Sequence, residues 1–353
     1  VSLSQDGTIV AIGAPWNDGN GLGSGHVRIY RNEAGIWNQI GNDIDGEDAW
    51  DNFGSSVSLS SDGSTVAIGA RLNDGNGSGS GHARIYKNKS GIWTQVGNDI
   101  DGEAEGDLSG MRVSLSSDGS IVAIAAPGND DNGINSGHIR VYKNENGGWN
   151  QVGNDIDGEA EGDTFGSSLS LSLSADGSVV AIGATNNDGN GNNSGHTRIY
   201  KNTNGNWDQI GEDIDGEVAG DGSGNSVSLS NDGSIVAIGA PYNDRNGTNS
   251  GHVRIYQNKD NKWIQIGSDI DGEAKDDLSG RVSLSGNGSI IAIGAGSNGI
   301  KGDEAGQLWG AGHVRIFSID TTAPSITGPS GRAGNLTSRQ SINENGTAIY
   351  TFS

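Results

Sequence analysis

No cysteine occurs in the 353 residues, which excludes disulfides, thiolate nucleophiles and thiolate metal sites. Long apolar runs are missing too: none approaches the ~18 consecutive residues that a membrane-spanning helix requires. Positive charge is scarce. Against 44 Asp and Glu stand 21 Lys and Arg, and the formal charge of −23 disfavours nucleic acid and anionic lipid as partners. Hydrophobic residues make up only 32%, a level that would suggest disorder in an unpatterned chain. No stretch has helical periodicity, and no nucleophile motif, Walker loop or zinc-binding helix is present.

What the chain has in quantity is glycine, 62 residues of it, locked to a repeat. The stretch Val57 to Ala70, VSLSSDGSTVAIGA, sets two short alternating runs about a Ser-Asp-Gly turn. It recurs at Asp6-Gly7, Asp62-Gly63, Asp118-Gly119, Asp176-Gly177, Asp232-Gly233 and Asn287-Gly288, with spacings of 56, 56, 58, 56 and 55 residues. So regular a period marks stacked supersecondary units. Within one repeat the first strand reads as Val57 to Ser60, the second as Thr65 to Gly69, the third as Gly81 to Tyr86 and the fourth as Trp93 to Gly97. The first and third connections are tight hairpins; the second, and the one leading into the next repeat, are longer loops.

Antiparallel strands in fours with no crossover helix predict an all-β fold, a β-propeller of six visible blades over residues 1–318, with seven open for an intact protein. A β-solenoid is the rival, but its coils are usually shorter than this period. The sixth copy has no Trp-led fourth strand, so the last blade is expected to lack its outer strand, which one lying upstream of Val1 would supply. The chain opens inside a repeat without a methionine and is expected to be part of a longer multidomain one. Residues 319–324 read as a linker and 325–353 as the truncated start of a β-sandwich module. Two irregularities stand out. The fourth copy carries two extra residues before its turn, an even insertion that keeps each side chain on its face. The sixth has a longer loop after its second strand containing Leu308-Trp309, an apolar pair with no counterpart elsewhere.

Phe53-Gly54 and Phe165-Gly166 before the first strand, with Gly13-Ala14-Pro15 and Gly239-Ala240-Pro241 after the second, resemble the FG-GAP repeat of integrin α-subunit propellers and their bacterial relatives. The likeness covers residues 1–318, although Phe-Gly is present in two copies and the third has Ala125-Ala126-Pro127. The tail's DTTAP and SINENGTAIYTFS look like the entry to a cadherin-like or immunoglobulin-like module. The resemblance implies an extracellular, calcium-associated adhesion or recognition module of bacterial surface or secreted type.

Five acidic loops join successive repeats, with carboxylates at positions 1, 3, 5 and 9 of each. They are Asp43, Asp45, Glu47 and Asp51; Asp99, Asp101, Glu103 and Asp107; Asp155, Asp157, Glu159 and Asp163; Asp213, Asp215, Glu217 and Asp221; and Asp269, Asp271, Glu273 and Asp277. That spacing lets a flexible loop wrap one Ca²⁺ with several oxygen ligands, and it resembles the calcium loop of integrin propellers, with its Gly displaced and its place in the blade different. The competing reading is that these acids cap turns and accept backbone N–H groups without metal. The loops after the second strand, such as Asn17-Asp18-Gly19, are first of all turn chemistry. All six histidines, His26, His82, His138, His196, His252 and His313, fall in Gly-His-x-Arg, where the repetition favours bonding between blades over catalysis. Trp37, Trp93, Trp149, Trp207 and Trp263 read as packing anchors of the outer strands.

The expectation is a non-enzymatic adhesion or ligand-recognition module at the cell surface, taking a protein or glycan ligand and touching it with Trp309. A polysaccharide-acting hydrolase or lyase and a purely architectural spacer are the alternatives.

Overall fold

The computed structural model describes residues 1–167, 170–297, 301–302, 308–309, 312–320 and 350–352, with the backbone alone at 301–302, 308–309 and 350–352. In the second repeat, Ser56–Leu59, Thr65–Ala70, His82–Lys89 and Ile92–Gln95 pair in chain order into an antiparallel sheet, and Ile100–Asp101 rejoins the third strand beyond a break in the outer edge. Five sheets have this five-stranded layout, and no described residue is helical. Together with the sixth sheet they form the predicted propeller of six blades.

Alternation dictates how the blades stack, because a strand points successive side chains to opposite faces. In the second blade Val66 and Ile68 face the first blade, where they meet Ile9, Val27 and Ile29. Ala67, Ala83 and Ile85 face the third, where they meet Val113, Val122 and Ile124. The serines of VSLS act across the same seam: Ser56 Oγ accepts the Val113 N–H and Ser58 Oγ the Leu115 N–H, both at 3.0 Å. These bonds tie successive first strands together around the axis. At the rim Trp93, Trp149, Trp207 and Trp263 each donate Nε1–H to a carbonyl of the preceding blade at 2.8–2.9 Å.

The Phe-Gly and Gly-Ala signatures meet at these interfaces. Gly54 (φ 89°) of the entry loop packs backbone to backbone on Gly13 of the preceding blade, and Gly110 does the same on Gly69. Phe53 and Phe165 are fully buried, and in the other entry loops Ser109, Ser223 and Ser279 take the equivalent place, also fully buried. Phe is thus exchanged for Ser in three of the five entry loops, while the glycine that follows it is kept in all five. Ala125, the alanine in the third copy, stands opposite the entry loop that carries the two extra residues.

Five hydrophobic clusters join the six blades in sequence, and among the described residues none joins the sixth to the first. The faces that would meet there are open. Val314 is 66% exposed where its counterpart Val253 is fully buried, and Trp37 is 45% exposed where the later tryptophans are bonded across a seam. A paired substitution reads out this difference. Ile255→Ala, inside the fifth seam, is expected to cost about 2–4 kcal/mol, and Ile316→Ala, on the open face, less than about 1 kcal/mol, in equilibrium unfolding. Equal losses would mean that the sixth blade is covered in solution.

The Trp-led outer strand has no counterpart in the sixth blade, and Tyr350–Phe352 occupies that place, pairing parallel to His313–Ile319. The outer position that the sequence leaves open is thus filled from the tail. The linker at 321–324 and most of the segment read as a β-sandwich lie outside the described residues. Leu308–Trp309 forms a two-stranded hairpin with Lys301–Gly302. The Trp309 side chain, expected to touch ligand, lies outside what is described.

Candidate functional site

The acidic loops gather on one face with the loops that follow the second strands. Asn20 Nδ2 donates to the Gly46 and Glu47 carbonyls at 2.9 Å, and Asn76 and Asn190 repeat the clamp. Asn17 Oδ1 accepts the Gly19 N–H, which is the turn role its sequence predicts.

The four carboxylates of a loop go to different places. The ninth-position Asp51, Asp107, Asp163, Asp221 and Asp277 are buried. They accept backbone N–H groups of their own loops, as when Asp107 takes those of Glu103 and Ala104 at 3.0 and 2.9 Å. Asn73 Nδ2 adds 3.1 Å to Asp51 across the blades. The third-position residues Asp45, Asp101, Asp157, Asp215 and Asp271 sit on the short returning strands, each opposite the histidine of its own blade. The first-position aspartates turn to their own blade: Asp43 takes the Arg28 fork at 2.9–3.1 Å, and Gln39 Nε2 at 2.7 Å. Asp99 is held by Arg84 and Gln95 in the same manner. The fifth-position glutamates reach forward: Glu47 pairs with Arg84, Glu159 with Arg198, Glu103 with Arg140 at 3.2 Å, while Glu217 faces His252 and Glu273 His313.

Among the described residues, the groups that converge are therefore not one loop's four acids. They combine a histidine with carboxylates of two successive loops: Glu47, His82 and Asp99; Glu103, Asp131, His138 and Asp155; Glu159, His196 and Asp213; Glu217, His252 and Asp269. His26, Asp43 and Asp45 form the set in the first blade. Donor atoms in each set lie within 4.8 Å of one another, so these clusters can hold a metal ion. Sequence spacing could not find the sets of the second to fifth blades, because each draws on acidic loops of two blades brought together by stacking.

A second cluster lies where the first strands begin, around the axis. Trp16, Asn52, Ser55, Arg71, Met111 and Arg112 line a cavity of 270 Å³ together with Pro15. Arg112 begins the first strand of the third blade and Arg281 holds the equivalent place in the first strand of the sixth, where Ser56 and Ser226 stand in others. Burial, and then the charges of Arg71 and Arg281, push the Arg112 guanidinium down to about 10. None of these three arginines has a carboxylate ion pair among the described residues. In a chain of formal charge −23 these cations without a carboxylate partner make the cavity locally positive. The signal in the sequence was departure from the repeat: Trp16, Arg71, Met111 and Arg112 are positions at which the copies differ.

Comparison with known proteins now has a geometry to refer to. The FG-GAP repeat model matches residues 44–86 and 214–256, each span running from the outer edge of one blade across the entry loop to the third strand of the next. The fold is thus that of a β-propeller, two of whose blade junctions match the FG-GAP repeat. A comparison with curated proteins finds no match. Among solved structures, the periplasmic gluconolactonase PpgL of Pseudomonas aeruginosa is 16% identical with TM-score 0.54, covering 87% of this chain and 82% of that one. A putative 6-phosphogluconolactonase from Bacteroides fragilis is 15% identical with TM-score 0.54, covering 89% and 78%. Kuenenia stuttgartiensis hydrazine synthase is 14% identical with TM-score 0.51, covering 84% and 72%. These likenesses establish the fold. They also overturn the expectation that the chain is not an enzyme: that expectation rested on the equivalence of the blades, and propellers of this architecture include proteins named as lactonases.

Proposed function

We propose that this propeller takes an acidic carbohydrate at the axial mouth and acts on it as a hydrolase or lyase, in an extracellular or periplasmic setting. The observation that carries the reading is that Arg71 and Arg112 line one cavity with Trp16, which is 64% exposed, while the charge of Arg281 also reaches Arg112. Guanidinium groups bind carboxylates in a planar fork, and an aromatic ring offers the apolar face of a sugar a stacking surface. Neutralising a sugar carboxylate also acidifies the carbon beside it, which favours elimination, and orients a lactone or glycosidic bond for attack by water. The gluconolactonase names of the structural neighbours support a sugar-acid substrate. Ca²⁺ belongs to this reading as a stabiliser of the carboxylate-rich face. An adhesion role towards surface glycan is the second reading, supported by the FG-GAP matches.

The test is to incubate the protein with polygalacturonate, alginate, gluconolactone and a neutral glucan, following binding, reducing ends, unsaturated ends and acid release. Turnover of an acidic substrate, with Arg71→Ala/Arg112→Ala lowering it by about tenfold or more, is the expected result. Binding without turnover would select adhesion, and equal handling of acidic and neutral polymers would remove the arginine site from the function.

A further inference from the structure

We propose that the third blade holds a divalent transition-metal ion between Glu103, Asp131, His138 and Asp155, the one set of four such donors among the described residues. The five histidine-carboxylate sets are built alike, but in the rest of the described sets cations of the chain itself are better matched to the acids. In the second blade Arg84 bonds both Glu47 and Asp99, and in the fourth Arg198 lies between Glu159 and Asp213. The guanidinium is held there by an aromatic ring of the entry loop, 5.9 Å from Phe53 for Arg84 and 5.8 Å from Phe165 for Arg198. Ser109 stands at that place before the third blade. Arg140 lies instead over its own Tyr142 at 5.7 Å and donates Nη2–H to the Asp101 carbonyl at 2.6 Å, keeping Glu103 and leaving Asp155 without a guanidinium.

The fifth blade shows what such a vacated aspartate needs. Its entry loop also has serine, Ser223, and Arg254 has likewise moved, to the Asp215 carbonyl. There Arg245, from the loop after the second strand, pairs with Asp269 in its stead. The equivalent residue is Gly19, Gly75 or Gly189 in the first, second and fourth blades, and Asp131 in the third. A position that supplies a cation in one blade supplies a further anion in another, so three carboxylates face one guanidinium. Burial, and then Asp155, Asp131 and Asp107, raise the Glu103 carboxyl against the pull of Arg140.

His138 points the cluster towards metal. Its side chain is wholly buried, and neither ring nitrogen makes a hydrogen bond. Nδ1 faces Asp155 Oδ2 at 3.5 Å and Glu103 Oε2 at 3.8 Å. Metal–ligand bonds of about 2.0–2.2 Å set donor atoms roughly 3–4 Å apart, so only small side-chain movements are needed to close around an ion. One imidazole with three carboxylates suits Zn²⁺ or Mn²⁺, whereas Ca²⁺ takes oxygen alone.

The test is calorimetric titration of the tag-free, chelator-treated protein with Zn²⁺, Mn²⁺ and Ca²⁺ separately, with Mn²⁺ binding also followed by electron paramagnetic resonance. One equivalent of tight Zn²⁺ or Mn²⁺ binding is expected, weakened by about tenfold or more in Asp131→Gly and in His138→Gln. Asp131→Gly restores the residue used by three other blades and should fold, which circular dichroism and melting would verify. Unchanged affinity in folded Asp131→Gly, no stoichiometric binding, or binding of Ca²⁺ as tight as that of the transition ions would each overturn the site.

Discussion

Gly69→Ala is expected to lower the melting temperature by roughly 4 °C or more, while Gly294→Ala leaves it nearly unchanged. Both residues occupy the same place in the repeat, on the second strand. A Cβ on Gly69 would fall on the Gly110 carbonyl oxygen and carbon, backbone atoms of the next blade's entry loop that cannot swing aside as a side chain could. The Gly110 N–H is in turn bonded to the Ala125 carbonyl at 3.1 Å, so moving the loop disturbs the third blade as well. Overpacking against fixed backbone costs about 3 kcal/mol or more. Over the roughly 320 residues of the propeller, an unfolding entropy of about 2.1 cal/mol/K per residue means that each kcal/mol shifts melting by about 1.5 °C. A Cβ on Gly294 would meet nothing nearer than the Arg281 Cβ at 3.5 Å, an ordinary contact, because no described blade follows the sixth. Similar losses in the two variants would show that the sixth blade's face is packed. No loss in either would show that the entry loop yields, and the glycine contact would not be what fixes blade spacing.

Mild acid is expected to destabilise the protein before its carboxylates titrate. Burial pushes the His252 imidazole down to about 4, helped by Arg254 and Arg245 and opposed by Asp269 and Asp221, with Glu217 3.8 Å from Nδ1. His82, His138 and His196 are also lowered, first by burial. A base whose folded pKa lies below its unfolded value is neutral in the native state and takes its proton on unfolding. Its contribution is present above the unfolded value of 6.5 and is lost as pH falls towards the folded one. For His252 alone the loss between 6.5 and about 4 is roughly 3 kcal/mol. The turn aspartates add to this at lower pH. In Asp118 burial pushes the carboxyl up, but hydrogen bonds from Ser120 and Ser116 outweigh it and hold it below its usual value, so its contribution persists until that range is reached. Melting curves in chelator from pH 8 to pH 4.5 should therefore fall by several degrees, and His252→Asn should flatten the slope. A melting point constant over that range, or an unaltered slope in the variant, would mean that the histidines are solvated or already charged in the native protein.

Much of this molecule is written in local pattern. The two-residue alternation of TVAIGA and HARIYK, the Asp-Gly turns and the regular period suffice for strands, hairpins, the number of blades and the face on which the acidic loops gather. The ninth-position aspartates, grouped by spacing with the other three acids of their loops, instead accept N–H groups of those loops, as Asp107 does. What only the tertiary structure decided lies between blades, where partners are about one repeat apart and are chosen by stacking. Spacing within a loop suggested that Asp99, Asp101, Glu103 and Asp107 would share one ion, yet Asp99 turns to His82 and Glu103 to His138. Exchange of Phe for Ser in an entry loop looked like a weakened motif; in three dimensions it moves an arginine and leaves Asp155 exposed to His138 and Asp131. The meeting of Arg71 with Arg112 and Arg281, and the open faces of the first and sixth blades, come from the ring itself. Side-chain alternation fixes which face a residue is on, but only the packing of six such faces fixes what it meets.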